Sequence, residues 1–199
     1  MSEDPLLFQR IAWRVAKKLR ETSSGRVVLV TSARPAEGKS FIANALATAF
    51  GLQNAGPVAL VECSRPENSG MQPGQHPVTW SDMVVNGVVG RPAGNAVTYF
   101  RWGGADPSTA FQSAAVARAL SALRSQFVFV VLDGPILENC GVLGSASDGS
   151  VLVIDANRTP REIIAGGLQA NPIDPQKMLG AVLNNMPRYV PRWLYRRAL

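Results

Sequence analysis

One histidine, His76, and two cysteines, Cys63 and Cys140, are all that this 199-residue sequence has of the residues that bind transition metals or form disulfides. The cysteines lie far apart without metal-type spacing, which excludes a clustered metal centre and a disulfide framework; they read as reduced thiols of a cytoplasmic protein. No stretch approaches the roughly 18 consecutive apolar residues of a membrane span. The start, MSEDPLLFQRIAWRVAKKLR, lacks the uninterrupted apolar core of a signal peptide. Charge is sparse too: 17% of residues are charged against 46% hydrophobic, the profile of a folded domain rather than a disordered one. Carboxylates are the scarcer sign, 14 against 20 lysines and arginines. The cations crowd the two ends, Arg10, Arg14, Lys17, Lys18 and Arg20 at one and Arg188, Arg192, Arg196 and Arg197 at the other. Basic ends around a near-neutral middle fit an anionic partner (lipid headgroups, nucleic acid or an acidic protein) or simply solvated helix faces.

What is present is an alternation of short apolar runs and helical periods. Leu7, Ile11, Val15 and Leu19, four apart, mark one stripe of a helix over 5–20. GRVVLVTS (25–32) is a buried strand, SFIANALATAFGLQ (40–53) a helix, and VALVE (58–62) a second strand after the turn Asn54-Ala55-Gly56-Pro57. Residues 63–77 have no periodicity and read as an exposed loop. A short helix over 79–88 starting near Thr79 or Ser81, a strand over 95–102 and a helix over 113–126 follow. The remainder reads as strand 127–133, loop 134–149, strand 150–155, helix 159–169 and strand 179–185. Strands apolar throughout and alternating with helices predict an α/β three-layer sandwich with a mostly parallel central sheet covered on both faces. The expected division is a basic amphipathic helix (1–22), a central α/β domain (23–186) and a basic aromatic tail (187–199).

The segment ARPAEGKS (33–40) stands between the first strand and the first long helix of that domain. Such a turn presents backbone N–H groups and a helix N-terminus to a polyanion. In it Lys39 reaches β- and γ-phosphates, the Ser40 hydroxyl holds Mg²⁺, and Arg34, Pro35, Ala36, Glu37, Gly38 and Phe41 complete the cofactor-binding stretch. Alanine at Ala36 costs about 1 kcal/mol if its φ is positive, because Cβ crowds a carbonyl oxygen. Asp133, after four bulky apolar residues and before Gly134-Pro135, is the candidate carboxylate for the metal side, and Glu62 at the end of its own strand is a second.

With VLVTSARPAEGKS, VALVECSRP, FVFVVLDGPI and GAVLNN in this order, the chain resembles the bacterial tyrosine kinases of capsule and exopolysaccharide synthesis, P-loop proteins related to the Min/Par ATPases, over residues 26–185. Thr31, Ser32, Pro35, Glu37, Gly38, Lys39 and Ser40 match the family's first motif, and Ala36 departs from it. Glu62 and Ser64 stand at the two acidic positions of the second motif, with Arg65 one place early. Asp133 and Pro135 match the third, and Asn184 the asparagine that contacts adenine. The resemblance implies ATP and Mg²⁺ as cofactors, catalytic roles for Lys39, Glu62 and Asp133, and Ser40, Glu62 and Asp133 on the metal. It further implies a membrane polysaccharide co-polymerase as partner, a homo-oligomer, and a cytoplasmic protein peripheral to the inner membrane. The helix over 5–20 has Arg10 and Arg14 without the family's ring-assembly motif, and the tail offers Tyr189 and Tyr195 where the kinases carry a tyrosine cluster. A nucleotide-responsive adaptor without kinase chemistry therefore stays open as a second reading. A Par-type ATPase that binds DNA is disfavoured by the loop's PGEGKS-like surroundings, so nucleic acid is not the expected partner. The tail's tyrosines, Trp193 and arginines suit an anionic membrane surface, the same mixture would suit nucleic acid, and packing of Trp193 and Leu194 on the domain itself is the plainer alternative.

Overall fold

The computed structural model describes residues 5–19, 24–53, 56–63, 77–87, 92, 97–104 and 106–186. The tail 187–199, Ser64, Arg65 and most of the loop expected over 63–77 lie outside them. The elements are α1 (Pro5–Lys18), β1 (Arg26–Ser32), α2 (Lys39–Leu52), β2 (Val58–Glu62), α3 (Trp80–Asn86), β3 (Val97–Phe100), α4 (Pro107–Ala110), α5 (Ser113–Arg124), β4 (Phe129–Asp133), α6 (Gly141–Ala146), β5 (Gly149–Asp155), α7 (Arg161–Ala170) and β6 (Met178–Asn184). The strands form one sheet in the order β3-β2-β4-β1-β5-β6, and every pairing is parallel. An all-parallel sheet needs a crossover between each pair of neighbours, and the helices that make the crossovers cover both faces.

Alternation along the strands divides the interior in two. Val28 and Val30 of β1, Leu60 of β2 and Phe129 and Val131 of β4 face α1 and α2, packing with Ala12, Val15, Leu19, Ile42, Leu46 and Phe50. Phe50 stacks on Phe129 with ring centroids 4.0 Å apart. Val27, Leu29, Val61, Val130 and Leu132 face the other way, toward α3, α5 and α6, with Trp80, Val116, Leu120 and Leu143. The expected stripe on α1 holds for Ile11, Val15 and Leu19, but Leu7 is exposed and Phe8 and Ala12 pack inward with the rest. Residues spaced by four advance about 40° per step around a helix of 3.6 residues per turn, so the far end of the stripe rotates out of the contact.

The segment read as a loop over 134–149 contains a 3₁₀ turn (Leu137–Asn139) and α6. That helix is short and glycine-bearing, and it holds its place by burying Leu143 rather than by propensity. Thr79 is the N-cap of α3: its hydroxyl accepts from the Asp82 N–H while the Asp82 carboxylate accepts from the Thr79 N–H. Among the described residues no helix is long and apolar enough to cross a membrane. Cys63 and Cys140 are both free and buried, and burial pushes both thiols up.

Candidate nucleotide site

The loop 33–38 leaves the carboxyl end of β1, a central strand flanked by β4 and β5. In open α/β sheets this edge, where neighbouring crossovers diverge, is where a crevice forms. Gly38 is the N-cap of α2 at φ 87, and no side chain caps the helix there. The first-turn N–H groups of α2 therefore face the loop mouth with the positive end of the helix dipole behind them. A Cβ on Gly38 would overlap the side-chain amide of Asn184, and the left-handed φ of 87 itself favours glycine. Ala36 sits at φ 60, in the left-handed region that alanine enters only at a cost.

Lys39 points back across the loop to β4. Its ammonium donates to the Gly134 carbonyl and lies 3.2 Å from Asp133 Oδ1, with the two side chains 14% and 9% exposed. Asp133 Oδ1 is buried and accepts no hydrogen bond of good geometry, and the Lys39 ammonium is its ion-pair partner. Glu62 stands opposite Asp133 in the β2–β4 register, and its Oε2 accepts from the Trp102 N–H at 3.3 Å. Burial holds the Glu62 carboxyl above the ordinary range, the Trp102 N–H working against it and the neighbouring Asp133 charge with it.

Two carboxylates on adjacent strand ends and the exposed Ser40 hydroxyl at the first turn of α2 are hard oxygen donors that could hold Mg²⁺, and the unbonded Asp133 oxygen is the one with coordination to spare. Among the described residues no group of three or more His, Cys, Asp or Glu could hold a metal by itself.

Glu37 is buried and faces the protein rather than the loop mouth. Its carboxylate accepts from the Arg34 N–H at 3.0 Å, from the Asp155 N–H at 3.4 Å and from the Thr159 hydroxyl. Its backbone carbonyl accepts from Asn184 Nδ2 at 2.9 Å. Glu37 thus fastens the loop to the ends of β5 and β6. Pro35 and Ala36 form the exposed tip, and Arg34 reaches the Arg158 carbonyl at 3.4 Å. Phe41 turns away, edge-on to Phe8 of α1 at 5.7 Å. The structure brings Lys39, Ser40, Glu62, Asp133 and Asn184 to one sheet edge.

Sequence reasoning passed over Asp155, Asn185 and Thr159. Asn185, at φ 52, donates to Asp155 Oδ2 at 2.9 Å, and the Asn157 N–H donates to Oδ1 at 2.9 Å. These bonds hold the Asp155 carboxyl below its ordinary value, the Asn185 bond contributing most. The signal was available: Asp155 ends an apolar strand as Asp133 does.

No protein-family model matches the chain, and no curated protein matches it in sequence. Solved structures do. The chimerical protein CapA2B2 is 20% identical with a TM-score of 0.72, over 91% of this chain and 84% of that one. The kinase domain of the Escherichia coli tyrosine kinase ETK is 19% identical with a TM-score of 0.68, over 92% and 74%. Cobyrinic acid a,c-diamide synthase from Mycobacterium smegmatis, solved with bound ADP and magnesium, is 21% identical with a TM-score of 0.56, over 80% and 74%. At such identities the likeness is one of fold: a parallel α/β sheet with a strand–loop–helix at its centre, the P-loop fold, which this chain shares with bacterial tyrosine kinase domains.

Proposed function

We propose that the chain binds ATP with Mg²⁺ at the loop 33–40 and serves, as a tyrosine kinase or ATPase, beside a membrane polysaccharide co-polymerase at the inner membrane. The observation that carries the nucleotide half is the Lys39–Asp133 pair at 3.2 Å beneath a helix N-terminus without a side-chain cap. A lysine there would meet phosphate oxygens, and the carboxylate beside it would help to hold the ion. In this reading the N–H groups of α2 and Lys39 bind phosphate, Ser40 and Asp133 hold the ion, Glu62 orients a water or nucleophile, and Asn184 lies on the side where a base docks against the loop. Mg²⁺ supplies charge that neutralises the phosphates. The co-polymerase partner rests on the motif resemblance and on the fold shared with the ETK kinase domain.

Calorimetric titration with ATP and ADP, each with Mg²⁺, tests the site. Lys39→Ala is expected to weaken binding by roughly 2–5 kcal/mol, the scale for truncating one partner of a desolvated charge pair. Asp133→Ala is expected to remove the Mg²⁺ dependence. Wild-type affinity in Lys39→Ala would sink the reading. A phosphotyrosine assay on the active protein then separates kinase from adaptor.

A further inference from the structure

Among the described residues, helix α1 is fastened on one side and exposed on the other. Its inner side buries Ala12, Val15 and Leu19, and two hydrogen bonds pin it: Lys18 Nζ to the Leu179 carbonyl at 2.7 Å, and Gln53 Nε2 to the Gln9 carbonyl at 3.2 Å. At 100° per residue, Leu6, Arg10, Trp13 and Lys17 fall within an arc of about 60° on the opposite side, with Arg14 beside them. Leu6 is 61% exposed and Trp13 58%. The Lys17 ammonium lies 5.1 Å from the centre of the Trp13 ring. A groove of about 310 Å³, lined by Leu6, Gln9, Arg10, Trp13 and Gln53, runs along this side, and Leu52 of α2, next to Gln53 in the chain, is 61% exposed.

Charge decides the occupant. Neither α1 nor α2 contains a single aspartate or glutamate; the nearest in the sequence are Glu3, Asp4 and Glu21 around α1 and the buried Glu37 before α2, all outside the helices. A second copy meeting this side with the same side would place Arg10, Arg14 and Lys17 against their own kind, which is repulsive. A tryptophan and leucines projecting among arginine and lysine on a helix that lies flat against its domain is the arrangement of an interfacial helix. The rings and aliphatic groups enter the headgroup–acyl boundary while the cations stay at the phosphate level. We propose that the outer side of α1 is a docking surface for an anionic lipid bilayer. It places on α1 the membrane contact suggested above and rests on no nucleotide chemistry.

The test is flotation of the full chain with vesicles of phosphatidylcholine containing phosphatidylglycerol, and with vesicles of phosphatidylcholine alone. The wild type is expected to float with the anionic vesicles only, and less as salt rises. Trp13→Ala, and the triple variant Arg10→Gln/Arg14→Gln/Lys17→Gln, are each expected to lower the partition coefficient at least about tenfold. Because these side chains are exposed, Tm and nucleotide affinity are expected to stay unchanged. Lys39→Ala is expected to float like wild type, which keeps a failed nucleotide site distinguishable from a failed lipid surface. Wild type that floats with neither vesicle overturns the proposal. So do variants that float undiminished, which would move the contact to another surface, and so does a chain that self-associates through Trp13 in sedimentation velocity without binding lipid.

Discussion

Ala36 shows how one methyl group bears on a binding loop. Its φ of 60 places Cβ against a carbonyl oxygen, a strain of about 1 kcal/mol or more that glycine would not carry. Because the folded loop itself holds this φ, Ala36→Gly is expected to stabilise the fold by up to about 1 kcal/mol. Thermal unfolding of the two proteins measures it, and an equal or lower Tm would mean that the loop already accommodates the methyl. Gly38 is the opposite case. There a side chain meets both the left-handed φ of 87 and the Asn184 amide, so Gly38→Ala is expected to lower Tm and to turn that amide away from the Glu37 carbonyl.

At the scale of elements, the loop is held from behind by β5 and β6. Glu37 reaches the Asp155 N–H and Thr159, while Asn185 and Asn157 hold the Asp155 carboxylate. The hydrogen bonds depress the Asp155 pKa in the folded state. The stability they contribute is therefore present above the unfolded carboxylate pKa, about 3.9, and is lost as pH falls through the lower folded value. Asp155→Asn is expected to lower Tm at neutral pH, with the gap closing as the solution is acidified below the carboxylate range. A gap that persists or widens in acid would show that the carboxylate charge is not what holds the turn. The helix at 141–146 belongs to this scale as well. Its residues, GVLGSA, carry no helical period long enough to read, and it forms because Leu143 has a core to enter.

For the whole molecule, the proposed ligand would join β1, α2, β4 and β6 at one edge, so binding should register as global stability. A ligand that binds only the folded state adds RT ln(1 + [L]/Kd), about 2.7 kcal/mol at a hundredfold excess over Kd. Mg²⁺ with ATP is expected to raise Tm in wild type and to raise it clearly less in Lys39→Ala. A thermal shift of equal size in both would place the nucleotide elsewhere on the surface.

The alternation of apolar strands and helices was legible in the chain because a parallel sheet buried on both faces needs continuous apolar runs, as in VVLV and FVVL, and those runs are local. Lys39, Ser40 and Asp133 were legible for the same reason: each sits at the end of a local strand or the start of a local helix. Strand order, the inward turn of Glu37 and the part played by Asp155 were not. They depend on which strands lie side by side, and β1 lies between β4 and β5, neither of which is the next strand after it in the chain. A carboxylate's role at a strand end follows from what the neighbouring strand brings to it: Asp133 meets Lys39, while Asp155 meets Asn185. Periodicity sees the strand and not its neighbour; packing alone assigns the partners.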